Sequence, residues 1–252
     1  MLNNIAPKEL DKSTKMNSSN TIVKNTTVLF IAEIISNILA FFLIVAIARY
    51  LGDDGLGKYS FALAFAGFFL AVSDLGILTL MTREIANNKA KTEIYYKNIL
   101  SMKLVLGIAS FIMASAVILM MNEPTDVTIA VILTALAMFF NYSGYTFRSL
   151  FQAYEKLEYD AIIKVIERVV TFGLGIYVLS AGYGLIGLIL VIVTAYALFF
   201  LLGATISSKV ITKIGLYFDF HFWKKTIKKS IPFWFTILFL SIYFRTDTIM
   251  LT

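Results

Sequence analysis

The chain has 252 residues, 59% hydrophobic and 15% charged, with a mean hydropathy of +0.80. Soluble domains run near about 25% charged, so this composition excludes an ordinary water-soluble globule. The net charge of +6 comes from bases set beside apolar stretches, which points to anionic lipid headgroups and not to nucleic acid; no Cys and a single His, His221, exclude disulfides, thiol chemistry and a His-based metal site.

A helix crossing the hydrocarbon needs about 20 mostly apolar residues. Residues 1–25, dominated by Asn, Ser, Thr and Lys, read as a polar tail. The first span is predicted at 26–49. Ala46-Ile47-Ala48 has the small-x-small form of a cleavage site, but the apolar stretch before it is too long for a signal peptide, so the span reads as an uncleaved anchor. The Gly-rich stretch Leu51–Gly57 lacks the Gly-Lys-Ser/Thr ending of a phosphate loop and reads as a tight interhelical turn. A second span follows at 58–81, then the two cleanest, at 98–121 and 127–148. Val169 to Ser208 carries no charge and is long enough for two spans, with Ser180–Gly184 as the turn between them. The fifth and sixth spans are accordingly placed at 160–180 and 183–207. Residues 208–230 form a basic linker. Within it, 216–229 sets Phe218, Phe220, Phe222, Trp223 and Ile227 beside Lys224, Lys225, Lys228 and Lys229, the pattern of an interfacial amphipathic helix. A seventh span at 231–251 is interrupted by Arg245 and Asp247. The fold class is therefore an all-α membrane protein: a six-helix bundle over 26–207 and a seventh helix over 231–252.

Orientation follows from Lys and Arg. The tail carries Lys8, Lys12, Lys15 and Lys24; the second loop Arg83, Lys89, Lys91 and Lys97; the region after span four Arg148, Lys156, Lys164 and Arg168; and the linker six lysines. The alternate connections hold only Arg49 and Lys58. That asymmetry places the N-terminus, the tail and the linker in the cytoplasm.

Ionisable groups inside a span are costly and point to function. Glu33, Asp74, Lys103 and Asn141 fall at similar depth in the inner half of four different spans, with Asn37 one turn from Glu33. Glu33 and Asp74 are read either as functional groups, including ion coupling, or as structural partners of Lys103. Lys164, Glu167 and Arg168 sit near the inner end of span five, where Lys164 and Arg168 share a face and either snorkel or bind substrate. Arg245 lies deepest, and Asp247, two residues on, faces away from it. Together these groups predict a polar cavity open to the cytoplasm, lined by bases and acids, suited to an amphipathic or anionic substrate, and free of any catalytic, cofactor or metal constellation.

The sequence also resembles the polysaccharide biosynthesis membrane proteins, the Wzx-type oligosaccharide flippases of the multidrug/oligosaccharidyl-lipid/polysaccharide exporter superfamily. The resemblance rests on Arg49-Tyr50-Leu51-Gly52 with Gly55–Ser60, on Ser73–Ile77 with Thr82–Ala86, on Phe147–Lys156 and on Arg245–Leu251, in that order along the chain. It implies a transporter of twelve or fourteen spans in two lobes that moves lipid pyrophosphate-linked sugars between leaflets of the plasma membrane by alternating access. It also implies that Arg49, Asp74, Arg148, Arg245 and Asp247 occupy the family's recurring polar positions. This chain covers one lobe and the opening helix of a second. The expectation is a truncated product or, less favoured, a chain that pairs with another. Three other functions are weighed against flipping: a cation-coupled drug antiporter of the same superfamily, disfavoured by the basic content; a membrane enzyme, for which His221 has no acid beside it; and an inactive structural scaffold.

Overall fold

The computed structural model describes residues 7–71 and 76–232, with side chains described for 26–70 and 76–232. Every regular element among them is helical: α1 (Pro7–Ala71), α2 (Ile77–Asn87), a short 3-10 turn (Lys89–Lys91), α3 (Thr92–Met120), α4 (Thr125–Ala153), α5 (Leu157–Ser180) and α6 (Gly184–Val210). A further helix, α7, runs over 220–232. Among the described residues four stretches are long and apolar enough to cross a membrane: Thr26–Leu70, Lys89–Met120, Thr125–Ala153 and Gly184–Val210. Helix α5 is not among them, because Glu158, Asp160, Lys164, Glu167 and Arg168 crowd its first half.

The first stretch is 45 residues long. At about 1.5 Å per residue it would span roughly twice the hydrocarbon thickness if straight. Gly52 interrupts it with φ 68° and ψ −172°, a conformation open to glycine because it has no Cβ to clash. The packing shows the consequence. The first arm climbs along α5: Glu33 meets Lys164, and Leu43, Ala46 and Ile47 cluster with Leu179 and Leu188. The second arm follows α4 from its start: Lys58 pairs with Asp126, Ala62 packs with Val127 and Val131, and Ala66 and Leu70 with Ala135. Helices α4 and α5 are consecutive and antiparallel, joined at residues 154–156, so the two arms run in opposite directions. One end of the bundle thus gathers Gly52 and the turns at 121–124 and 181–183. The opposite end gathers the start of α5 and the ends of α4 and α6.

Helices α4 and α6 approach closely because each offers a glycine to the other's phenylalanine. A Cβ on Gly144 would lie 2.4 Å from the Phe199 ring, and one on Gly203 would lie 2.8 Å from that of Phe147. The outer surface is apolar: Phe30, Ile34, Phe41, Phe68, Ile112 and Leu201 are all exposed. Water-soluble monomers rarely carry apolar surface on that scale, and lipid is its natural solvent.

Two expectations change. The second span is not continuous over 58–81: α1 ends at Ala71, and α2 starts at Ile77 after Gly76 in the left-handed region (φ 71°). Helix α2 lays Ile77, Leu78, Met81 and Ile85 against Phe147, Leu150 and Phe151 of α4. The linker helix also starts later than its aromatic pattern suggests. Residues 212–219 hold no regular structure, and Asp219 caps α7 by accepting a hydrogen bond from the Phe222 N–H at 3.0 Å. Its Trp223 and Phe222 turn onto the bundle, Phe222 edge-on to Tyr95 at 5.0 Å, while Lys224, Lys225, Lys228 and Lys229 stay exposed. The seventh span lies almost wholly outside the described residues.

Candidate functional site

The site grows from helix periodicity. On α4, Asn141, Tyr145 and Arg148 follow i, i+4, i+7 spacing and share a face; on α5, Asp160, Lys164, Glu167 and Arg168 do the same. These faces meet. With Glu33 from α1 and Phe199 from α6 they enclose a cavity of about 300 Å³ at the end of the bundle opposite Gly52.

Its charges are paired, two of the three pairs across helices. Arg148 Nε donates to Asp160 Oδ2 at 2.8 Å, and Gln152 Nε2 reaches the same oxygen at 3.5 Å. The Arg148 guanidinium also lies 5.8 Å from the centre of the Tyr145 ring. Lys164 donates to Glu33, tying α5 to the first arm of α1. Arg168 Nε lies 3.7 Å from Glu167 Oε2, and the Thr171 hydroxyl donates to Glu167 Oε1 at 3.2 Å. Asp160 is only 2% exposed, the most enclosed of the three acids.

The structure therefore brings together Glu33, Arg148, Lys164 and Arg168. It does not bring Arg49 to them: that residue is exposed, just beyond Ile47, which packs at the far end of α5. Asp74, Arg245 and Asp247 lie outside the described residues. Glu33 pairs with Lys164, so of its two readings the structural partnership with Lys103 is not the one seen. Lys103 is almost fully buried on α3, its ammonium 5.6 Å from the Tyr142 ring centre. Asp160 is the residue that sequence reasoning missed. At the start of a helix an acid reads as ordinary complementation of the helix dipole. The available signal was Arg148, twelve residues earlier, which needed a counter-charge in an apolar setting. No group of three or more His, Cys, Asp or Glu suited to a metal occurs among the described residues.

An apolar helical bundle with a charged, helix-bridging cavity is the frame of a membrane transporter, and the family comparison agrees. Residues 22–252 match the family model described as polysaccharide biosynthesis protein. The chain belongs to that family. No curated protein and no solved structure matches the chain. Polysaccharide biosynthesis proteins of this kind are flippases and transporters acting on lipid-linked precursors, and they are not known as enzymes. Membership and the long apolar helices together make this a multi-pass membrane protein with a polysaccharide-related transport role.

Proposed function

We propose that the chain forms the substrate-holding lobe of a flippase that moves a lipid diphosphate-linked oligosaccharide across the plasma membrane by alternating access. The observation that carries this reading is the convergence of Arg148, Lys164 and Arg168, with Asn141 and Tyr145, on one cavity inside an apolar bundle. Guanidinium groups match phosphate oxygens in geometry, and an ammonium adds a mobile point charge. A cavity of about 300 Å³ suits a diphosphate and its first sugar. Phe199 gives the apolar wall that a lipid tail or sugar face needs.

Counting the two arms of α1 separately and taking α5 as a span shielded by its ion pairs gives six crossings over 26–210. The Lys and Arg distribution then puts the N-terminus, α7 and the cavity mouth on the cytoplasmic side. A second lobe, carried by the same polypeptide or a partner, would close the cavity during the transport cycle. Asp74, Arg245 and Asp247 would add to the polar path, and Glu33 or Asp74 would be places for a coupling ion.

Proteoliposomes test the reading. Leaflet exchange of a fluorescent diphosphate-linked lipid sugar is expected to exceed that of the neutral lipid alcohol, and Lys164→Gln with Arg168→Gln is expected to remove the difference. Exchange that ignores the diphosphate contradicts the proposal. Uptake of a lipophilic cation instead would favour the antiporter reading, for which the acids and aromatics of the same cavity are the supporting feature.

A further inference from the structure

The cavity holds no surplus of positive charge. Arg148 faces Asp160, Lys164 faces Glu33 and Arg168 faces Glu167, so bases and acids cancel among the lining residues. An incoming anion either draws a base away from its carboxylate or settles beside a carboxylate that is already there. Both outcomes put negative charges close together where solvent screens them little, which favours proton binding.

The three acids do not share the consequence equally. Glu33 is 52% exposed, so water can solvate it when Lys164 turns away. Glu167 shares the Thr171 hydroxyl with its own backbone carbonyl, which takes the shorter bond. Asp160 is 2% exposed, and Arg148 and Gln152 both donate to its Oδ2. A buried carboxylate that loses its guanidinium is a costly species, and a proton relieves it.

We infer that Asp160 is a built-in counter-anion that holds Arg148 in place when the cavity is empty, and that a diphosphate-type anion takes over Arg148 while Asp160 accepts one proton. The inference rests on the cavity being an anion site. The charged groups around Asp160 are Arg148 on α4, Lys164 one turn along α5, and Glu33 on α1, which reaches Asp160 through Lys164. Helix α6 contributes Phe199 and Gly203, neither of which titrates. Proton balance is simple: one proton from solvent adds to the Asp160 carboxylate as the anion docks, and it leaves when the anion departs.

This assignment inverts the usual effect of mutating a site residue. Asp160→Asn removes the competing anion but keeps the shape, so it is expected to bind anions more tightly than the natural chain. The test uses the full chain in zwitterionic lipid and UDP-glucose as probe, a diphosphate diester whose phosphates stay ionised from about pH 6 to about pH 8. Calorimetric affinity of the natural chain is expected to weaken with rising pH by up to about tenfold per unit, the limit for one linked proton. Repeating the titration in buffers of different ionisation enthalpy is expected to show uptake of about one proton per anion bound. Asp160→Asn is expected to bind more tightly at the upper pH and to lose the pH dependence. The buffer comparison needs only the natural chain, so it decides the matter even if the variant does not fold. Anion binding without proton uptake, or a folded Asp160→Asn that binds more weakly, overturns the inference and leaves the anion site standing. No binding by the natural chain at either pH overturns both.

Discussion

Both ends of the bundle carry acid–base pairs of nearly the same length, in opposite surroundings. At the turn end Lys58 sits between Asp54 and Asp126, at 2.7 and 2.8 Å, and those carboxylates are 80% and 49% exposed. At the cavity end Arg148 meets Asp160 at the same 2.8 Å, with Asp160 almost sealed from solvent. Water screens the first set, so it contributes little, mainly clipping the second arm of α1 to the start of α4. The second set has given up hydration that its attraction hardly offsets, and apolar residues of similar volume would serve stability as well or better. Stability therefore does not explain the buried pair, whereas the proposed anion binding would.

The largest effect that could break this comparison is at Arg148. Replacing it with Ala strips the buried Asp160 of its guanidinium, and we expect a loss of up to about 3–5 kcal/mol in unfolding free energy at high pH, shrinking as the pH falls and Asp160 takes up a proton. The double change Arg148→Met with Asp160→Leu is expected to recover most of that loss while abolishing anion binding. Thermal unfolding in detergent, read beside calorimetry, checks both. Equal stability of the single and double variants would show that the burial argument fails.

One glycine from each end sharpens the contrast in packing. Gly144→Ala drives a Cβ into the Phe199 ring, where the close contact of α4 and α6 leaves no room, and should cost about 1–3 kcal/mol. Gly52→Ala meets no neighbour within 4 Å, so only its backbone resists, positive φ with ψ near −172° being a region essentially confined to glycine, at about 1–3 kcal/mol. Comparing the two melting points separates crowding from backbone strain.

The smallest effect tests whether burial, and not location, sets the energy. Glu84 on α2 and Lys91 form a 2.8 Å pair near the cavity end, but solvent reaches both. The hydrogen bond from Lys91 holds the Glu84 carboxyl below its ordinary range. Its contribution is therefore complete above that ordinary range and disappears as the pH falls through the lowered value. Glu84→Gln should shift the melting point slightly at neutral pH and not at all in stronger acid. A large shift at neutral pH would deny that exposure governs these pairs.

Much of this arrangement was legible in the sequence. Glu33, Lys164 and Arg168 stand out because charges inside apolar helices are expensive, and the turns at Gly52 and Gly182 are marked by glycines that the backbone conformation requires. Arg148 was picked out by family resemblance, not by depth. The pairing was not legible: Asp160 lies across the turn from Arg148, and Glu33 is 131 residues from Lys164, so only the packing of α1 on α5 brings them together. Arg49 stands apart from this cavity, because a recurring position along the chain says nothing about which end of the bundle it occupies. The break between α1 and α2 was masked because Leu75, Ile77, Leu78 and Leu80 resume the apolar run straight after Ser73 and Asp74, and Gly76 was the conformational cue.

The most direct measurement compares one base from each end in the same transport assay. Lys58→Gln and Arg148→Gln, reconstituted at equal density, are followed by leaflet exchange of a fluorescent diphosphate-linked lipid sugar. We expect Lys58→Gln to flip at close to the natural rate and Arg148→Gln to fall to the rate of protein-free vesicles. Equal rates in the two variants, or loss of transport with Lys58→Gln alone, would contradict the assignment of function to the buried end.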